Sequence, residues 1–130
     1  VTYFFSKRLI EQSHRHNLEA MRIADFNRGA AAFRTAFIDT VFLLRRHKEG
    51  TENLITKIIT DKVIVDQEKA KIIFEPFLNK TALGDFSMTW DAYTKCRMNY
   101  GSVNANPTKA EEIQFFLDHI YRLLHFAERR

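Results

Sequence analysis

Five histidines, one cysteine and sixteen carboxylates are the raw material this chain offers for chemistry. A helical zinc site takes two histidines four residues apart on one face, and no pair among His14, His16, His47, His119 and His125 has that spacing. Glu111 and Glu112 precede His119 by eight and seven residues, which misses the Glu-x-x-His pattern of di-iron bundles. No metal or cofactor site is expected. Nucleophilic catalysis fares no better. Ser13 stands beside His14 and His16 without a strained elbow or an oxyanion loop, and no glycine-rich phosphate cradle exists. Cys96, the only cysteine, has no internal disulfide partner and reads as a small apolar residue in the packing. No residue is assigned a catalytic role, and the reading leans away from an enzyme.

Charge is a more informative pattern. Residues 1–50 hold nine Lys and Arg against five Asp and Glu, 51–100 hold seven against seven, and 101–130 four against four, so the whole net charge of +4 sits in the first segment. Arg8, Arg15 and Arg22 recur every seven residues and line one face of a helix, with Lys7 nearby. Lys7, Arg8, Arg15 and Arg22 are the candidate surface for an anionic partner, such as phosphates or anionic lipid. The plainer reading of the same residues is a solvated helix face.

Those residues need a scaffold, and its class follows from composition. With 45% apolar residues, including twelve Phe, four Tyr and one Trp, 130 residues suffice for one aromatic core and not for two. Four Gly and two Pro leave most of the chain without the turn clusters that bound short strands. The expectation is an all-α bundle of four or five mostly antiparallel helices in one domain spanning 1–130. No apolar run is long enough to cross a bilayer.

Between Ile10 and Leu18 no other apolar residue occurs, so a helix there has no face to bury, and residues 1–24 are expected to protrude or to lie beside a membrane. Phe26, Ala30, Phe33, Phe37, Val41 and Leu44 then advance by threes and fours, the stripe of a helix from about Asp25, its expected cap, to Lys48, with Gly29 a tolerated cost and Gly50 its stop. Thr51 is expected to cap a short helix through Ile59. The β-prone Val63-Ile64-Val65 reads as a buried turn before a helix capped by Asp66, with Ala70, Ile73, Phe74 and Phe77 inward and Pro76 near its end.

Asn79-Lys80-Thr81 is a polar break before a helix with Phe86, Trp90, Tyr93 and Arg97 on one side, Trp90 anchoring the core and Tyr93 at its rim. Residues 99–107 form the longest expected loop. Thr108 and Glu111 fit a capping box for a last helix with Ile113, Phe116, Leu117, Ile120, Leu124 and Ala127 inward, and Glu112, Asp118, Arg122 and Glu128 in water.

The five residues between Arg8 and His14 give a spacing that resembles the Arg-to-His motif of toxin ribonucleases in the higher-eukaryote-and-prokaryote nucleotide-binding domain family. That motif opens the last long helix, whereas this pair lies in the first. Where the motif should fall, Arg97-Met98-Asn99-Tyr100-Gly101 contains no His. The chain is therefore not assigned to that family.

Two functions remain open at this level. The first is a helical interaction or regulatory domain with a protein partner or self-association. It is expected to be cytoplasmic, with an apolar segment upstream of Val1 as the means by which it would join a membrane, because Tyr3-Phe4-Phe5 followed by Lys7-Arg8 suits a bacterial membrane edge. The second is an RNA-binding or RNA-cleaving bundle using Arg8 and His14, or Arg97 and Tyr100.

Overall fold

No proline and a single glycine occur between Thr2 and Arg46, and in the computed structural model this stretch is one uninterrupted helix, α1 (Thr2–Arg46). The structure describes residues 2–46, 59–100 and 109–130. Forty-five residues at 1.5 Å each make a rod of about 67 Å. The expected start at Asp25 is thus corrected. The aromatic stripe marks where the helix begins to be buried, not where it begins, and Asp25 lies mid-helix. Phe26, Ala30, Phe33, Phe37 and Leu44 are all buried as the stripe requires, with Val41 half-buried. The expected stop at Gly50 and the short helix from Thr51 lie outside the described residues.

The second helix, α2 (Asp61–Phe74), starts five residues earlier than Asp66. Thr60 is its cap, its Oγ1 accepting the Val63 amide at 3.2 Å. That cap and the first-turn Asp61 outweigh the few tenths of a kcal/mol by which β-branched residues disfavour a helix, so Val63-Ile64-Val65 becomes the opening turn. Its inward line is Gln67, Ala70 and Phe74; Ile73 is exposed, contrary to expectation. A 3₁₀ turn, Glu75–Phe77, follows at Pro76, which ends the helix because proline cannot supply the next amide.

Asn79, expected as a break, acts as a cap: its Oδ1 accepts the Ala82 amide at 2.8 Å and starts α3 (Lys80–Tyr100). This helix runs on through Asn99 and Tyr100, so the loop expected from Asn99 does not include those two residues, and the rest of it lies outside the described residues. The last helix is α4 (Ala110–His125), with Lys109 at the cap position and no side-chain hydrogen bond closing it; Thr108 of the expected capping box lies outside the described residues. Leu123 is buried and Leu124 half-buried, and Glu112 and Asp118, expected in water, are half-buried.

Ring contacts fix the directions. Phe33 lies 5.0 Å from Phe74 and 5.6 Å from Phe86, Phe37 lies 5.6 Å from Tyr93, and Tyr100 lies 4.8 Å from Phe116 while Phe86 meets Phe126. Successive helices therefore run up, down, up and down around an aromatic interior, a four-helix bundle with no strand among the described residues. The Arg34 guanidinium donates to the Ala127 carbonyl and fastens the C-terminal end of α4 to α1.

Candidate functional site

The inward face of α1 changes character part-way along its length. From Phe26 onward it is aromatic and buried; before it, the same azimuth carries Arg8, Glu11, Gln12, Arg15, Glu19 and Arg22, all within a sector of about 100°. The next position in the seven-residue series Arg8, Arg15, Arg22 is Gly29, and a Cβ there would meet the Phe77 ring at 2.6 Å. The basic series therefore points toward the body's side of the helix, not away from it. Ionised groups cannot be buried unpaired, so the bundle stops where they begin. Every side chain from Ser6 to Asp25 is exposed. About 36 Å of α1 projects as an arm.

Where the arm meets the body there is a groove of about 660 Å³. It is lined by apolar Leu18, Ile23, Phe26, Pro76 and Phe77 together with Arg15, Arg22, Arg130, Glu19 and Asp25. Arg130 lies 3.9 Å over the Phe26 ring, and its amide donates to Asn27 Oδ1 at 2.9 Å, which holds it against α1. Asp25 pairs with exposed Arg28 at 3.6 Å. Of the residues expected from sequence, Arg15 and Arg22 converge here. Arg8 shares their face about 10 Å further out than Arg15, and Lys7 sits about 100° round the helix from Arg8. Arg130, Pro76 and Phe77 could not be found from sequence, because only the fold brings them to Arg22.

No protein family, characterised protein or solved structure matches this chain.

A groove lined by apolar residues and three arginines suits an apolar segment that carries carboxylates, since arginine binds them through paired, charge-assisted hydrogen bonds. Glu11 and Glu19, interleaved with the arginines, oppose a uniform polyanion. Arg8 and His14, six positions apart, point about 120° away from each other on α1. Arg97 and Tyr100 are 8% and 4% exposed, inside the bundle. His119 is buried with Nδ1 2.9 Å from the Phe115 carbonyl, and His125 meets Glu128 at the surface. Among the described residues no group of three His, Cys, Asp or Glu could hold a metal ion, and no helix is long and apolar enough to cross a membrane.

A buried polar chain links three helices. Tyr93, expected at the rim, is 1% exposed and its hydroxyl donates to Gln67 Oε1 at 2.5 Å, while Gln67 Nε2 donates to Thr40 Oγ1 at 3.3 Å. Arg97 lies 5.5 Å over the Tyr93 ring and reaches Glu68 at 3.8 Å. Burial pushes the Tyr93 hydroxyl up to about 12 against the opposing pull of Arg97, and burial aided by the Glu112 charge does the same for Tyr100. Burial also pushes the Cys96 thiol up to about 11, consistent with a packing residue. These groups tie α1, α2 and α3 together and open onto no groove described above.

Proposed function

We propose that this chain is a helical protein-interaction module in which the arm of α1 and the groove at its foot form the recognition surface. The observation that carries this is the inward face of the arm. A helix of about 20 residues is marginal alone in water, and here it leaves the bundle presenting alternating charge above an apolar groove. The chemistry selects an amphipathic helix of a protein partner. Its apolar residues would enter between Leu18 and Phe77, and its acidic residues, spaced in sevens, would meet Arg8, Arg15 and Arg22. The proposal includes a cytoplasmic place close to a bacterial membrane, supported by the aromatic residues ahead of Lys7 and Arg8.

A photo-crosslinking residue at position 18 or 23, used in living cells, tests this. We expect one protein adduct whose crosslinked peptide is an acidic amphipathic segment, lost in Arg15→Glu/Arg22→Glu with thermal stability unchanged. An adduct that survives the double substitution would overturn the reading. So would a chain that binds a 20-nucleotide RNA with steep salt dependence, the signature of a nucleic-acid surface.

A further inference from the structure

The outward side of α1 is as patterned as the inward one. Ile10, Asn17, Ala24, Ala31 and Ile38 recur every seven residues, the repeat of a helix that pairs with another helix. All five are exposed, Ile10 at 69% and Ile38 at 57%, and Phe42 beyond them is half in water. Ser13 and Ala20, between them, are uncharged too, while exposed Arg28 brings a positive charge onto the same strip, where the antiparallel register sets it opposite a small residue, Ala20 of the partner subunit. Among the described residues no other helix packs on this face, and Arg46 of the same helix lies 5.0 Å over the Phe42 ring.

We propose that its occupant is a second copy of the chain, paired antiparallel about Ala24. The series is nearly palindromic. With Ala24 on the two-fold axis, Ile10 faces Ile38 of the partner subunit, Asn17 faces Ala31 of the partner subunit, and Ser6 leaves room for Phe42 of the partner subunit. Small residues at the centre let the two rods approach closely, and the larger ones close both ends.

Charge selects the same register. Lys7 and Asp39 lie on one edge of the face, and the antiparallel pair brings Lys7 to within two residues of the level of Asp39 of the partner subunit, twice by symmetry. A parallel pair would instead set Arg28, Arg45 and Arg46 beside their own copies. The antiparallel register also answers the arm's exposure. Residues 6–23 of one copy lie along residues 25–42 of the other, so each arm rests on the other copy's body. An overlap of about 55 Å and a contact strip about 10 Å wide give roughly 1,100 Å² in total, near the lower bound for specific interfaces, so the dimer is concentration-dependent.

Sedimentation equilibrium on the 130-residue chain from about 1 to 500 µM reads this directly. The mass should climb from 15.3 kDa toward twice that value. Ala24→Glu, which sets two like charges on the axis, should move the midpoint at least tenfold higher in concentration without changing the circular dichroism. In a Cys96→Ala background, Ile10→Cys mixed with Ile38→Cys should form a disulfide under mild oxidation, and Ile10→Cys alone should not. Arg15→Glu/Arg22→Glu should still dimerise, which separates this interface from the inward face. A chain monomeric throughout, dimerisation untouched by Ala24→Glu, crosslinking of Ile10→Cys to itself, or a dimer abolished by the arginine substitutions would each overturn the assignment.

Discussion

Replacing Tyr93 by Phe deletes one oxygen from the centre of the bundle and leaves the shape of the core almost unchanged. The lost hydroxyl is the donor that satisfies Gln67 Oε1 at 2.5 Å, and Gln67 is 0% exposed, so no water can take its place without repacking. A buried acceptor left unsatisfied costs about 1 to 3 kcal/mol, which lowers the melting temperature by about 4 to 12 °C for a domain of this size. Gln67→Leu should cost a similar amount, because it strips both Tyr93 and Thr40 of their partner. The triple variant Thr40→Val/Gln67→Leu/Tyr93→Phe removes the polar atoms of these three side chains together, leaving only Arg97 without the Tyr93 hydroxyl, and should cost less than the sum of the single losses. Urea unfolding of wild type, the three single variants including Thr40→Val, and the triple variant gives the coupling energies from the departure from additivity. A loss below about 0.5 kcal/mol for Tyr93→Phe, or a triple variant whose loss equals the sum of its parts, would refute the claim that these groups act as one buried unit.

Gly29→Ala sets a gain of about 1 kcal/mol in helix propensity against overpacking of about 1 to 3 kcal/mol where the new Cβ meets the Phe77 ring at 2.6 Å, and should be net destabilising in a thermal melt. Adding Phe77→Leu should restore part of the loss; a stabilised Gly29→Ala would sink the close approach. Tyr93 and Tyr100 both ionise near 12 in the folded chain against 10 unfolded, so the stability they contribute is complete below pH 10 and drains away as pH rises through 12. Melting temperatures from pH 8 to 12 should fall, and fall less steeply in Tyr93→Phe/Tyr100→Phe. The Cys96 thiol, buried and raised to about 11, should react with a disulfide reagent at pH 7.5 far more slowly than free cysteine and reach the free rate only in denaturant.

Large apolar residues at helical spacing carried most of the fold legibly. Phe26, Ala30, Phe33, Phe37 and Leu44, and Ile113, Phe116, Leu117, Ile120 and Ala127, are inside as their spacing requires, while Ile38, Phe42 and Phe115 on the same helices lie off the stripe and stay exposed. Ends were harder to read. Asp25 has the chemistry of a cap, yet the residues before it are all helix-compatible, and a cap is needed only where a helix starts. Val63-Ile64-Val65 has strand propensity, and one threonine hydroxyl plus packing overrides it. Gln67 reads as surface from its type alone and is buried because Tyr93 and Thr40, far away in sequence, satisfy it. The basic series was visible as a series, but its direction relative to the body was not, since that depends on Phe77 seating against Gly29. For the same reason the groove could not be foreseen, being formed by three stretches at least fifty residues apart.

A rod of forty-five residues with no proline behaves as a lever. Its fulcrum is the stretch from Phe26 to Leu44, clamped among the rings of the other helices, and its free limb is about 36 Å long. A tilt of about 10° at the fulcrum swings the tip by about 6 Å on that geometry. Conversely, a force applied at Arg8 reaches Phe33 as torque, with no hinge between them to absorb it. Mechanical coupling of this kind links events at the tip to the packing of the interior without any change in secondary structure.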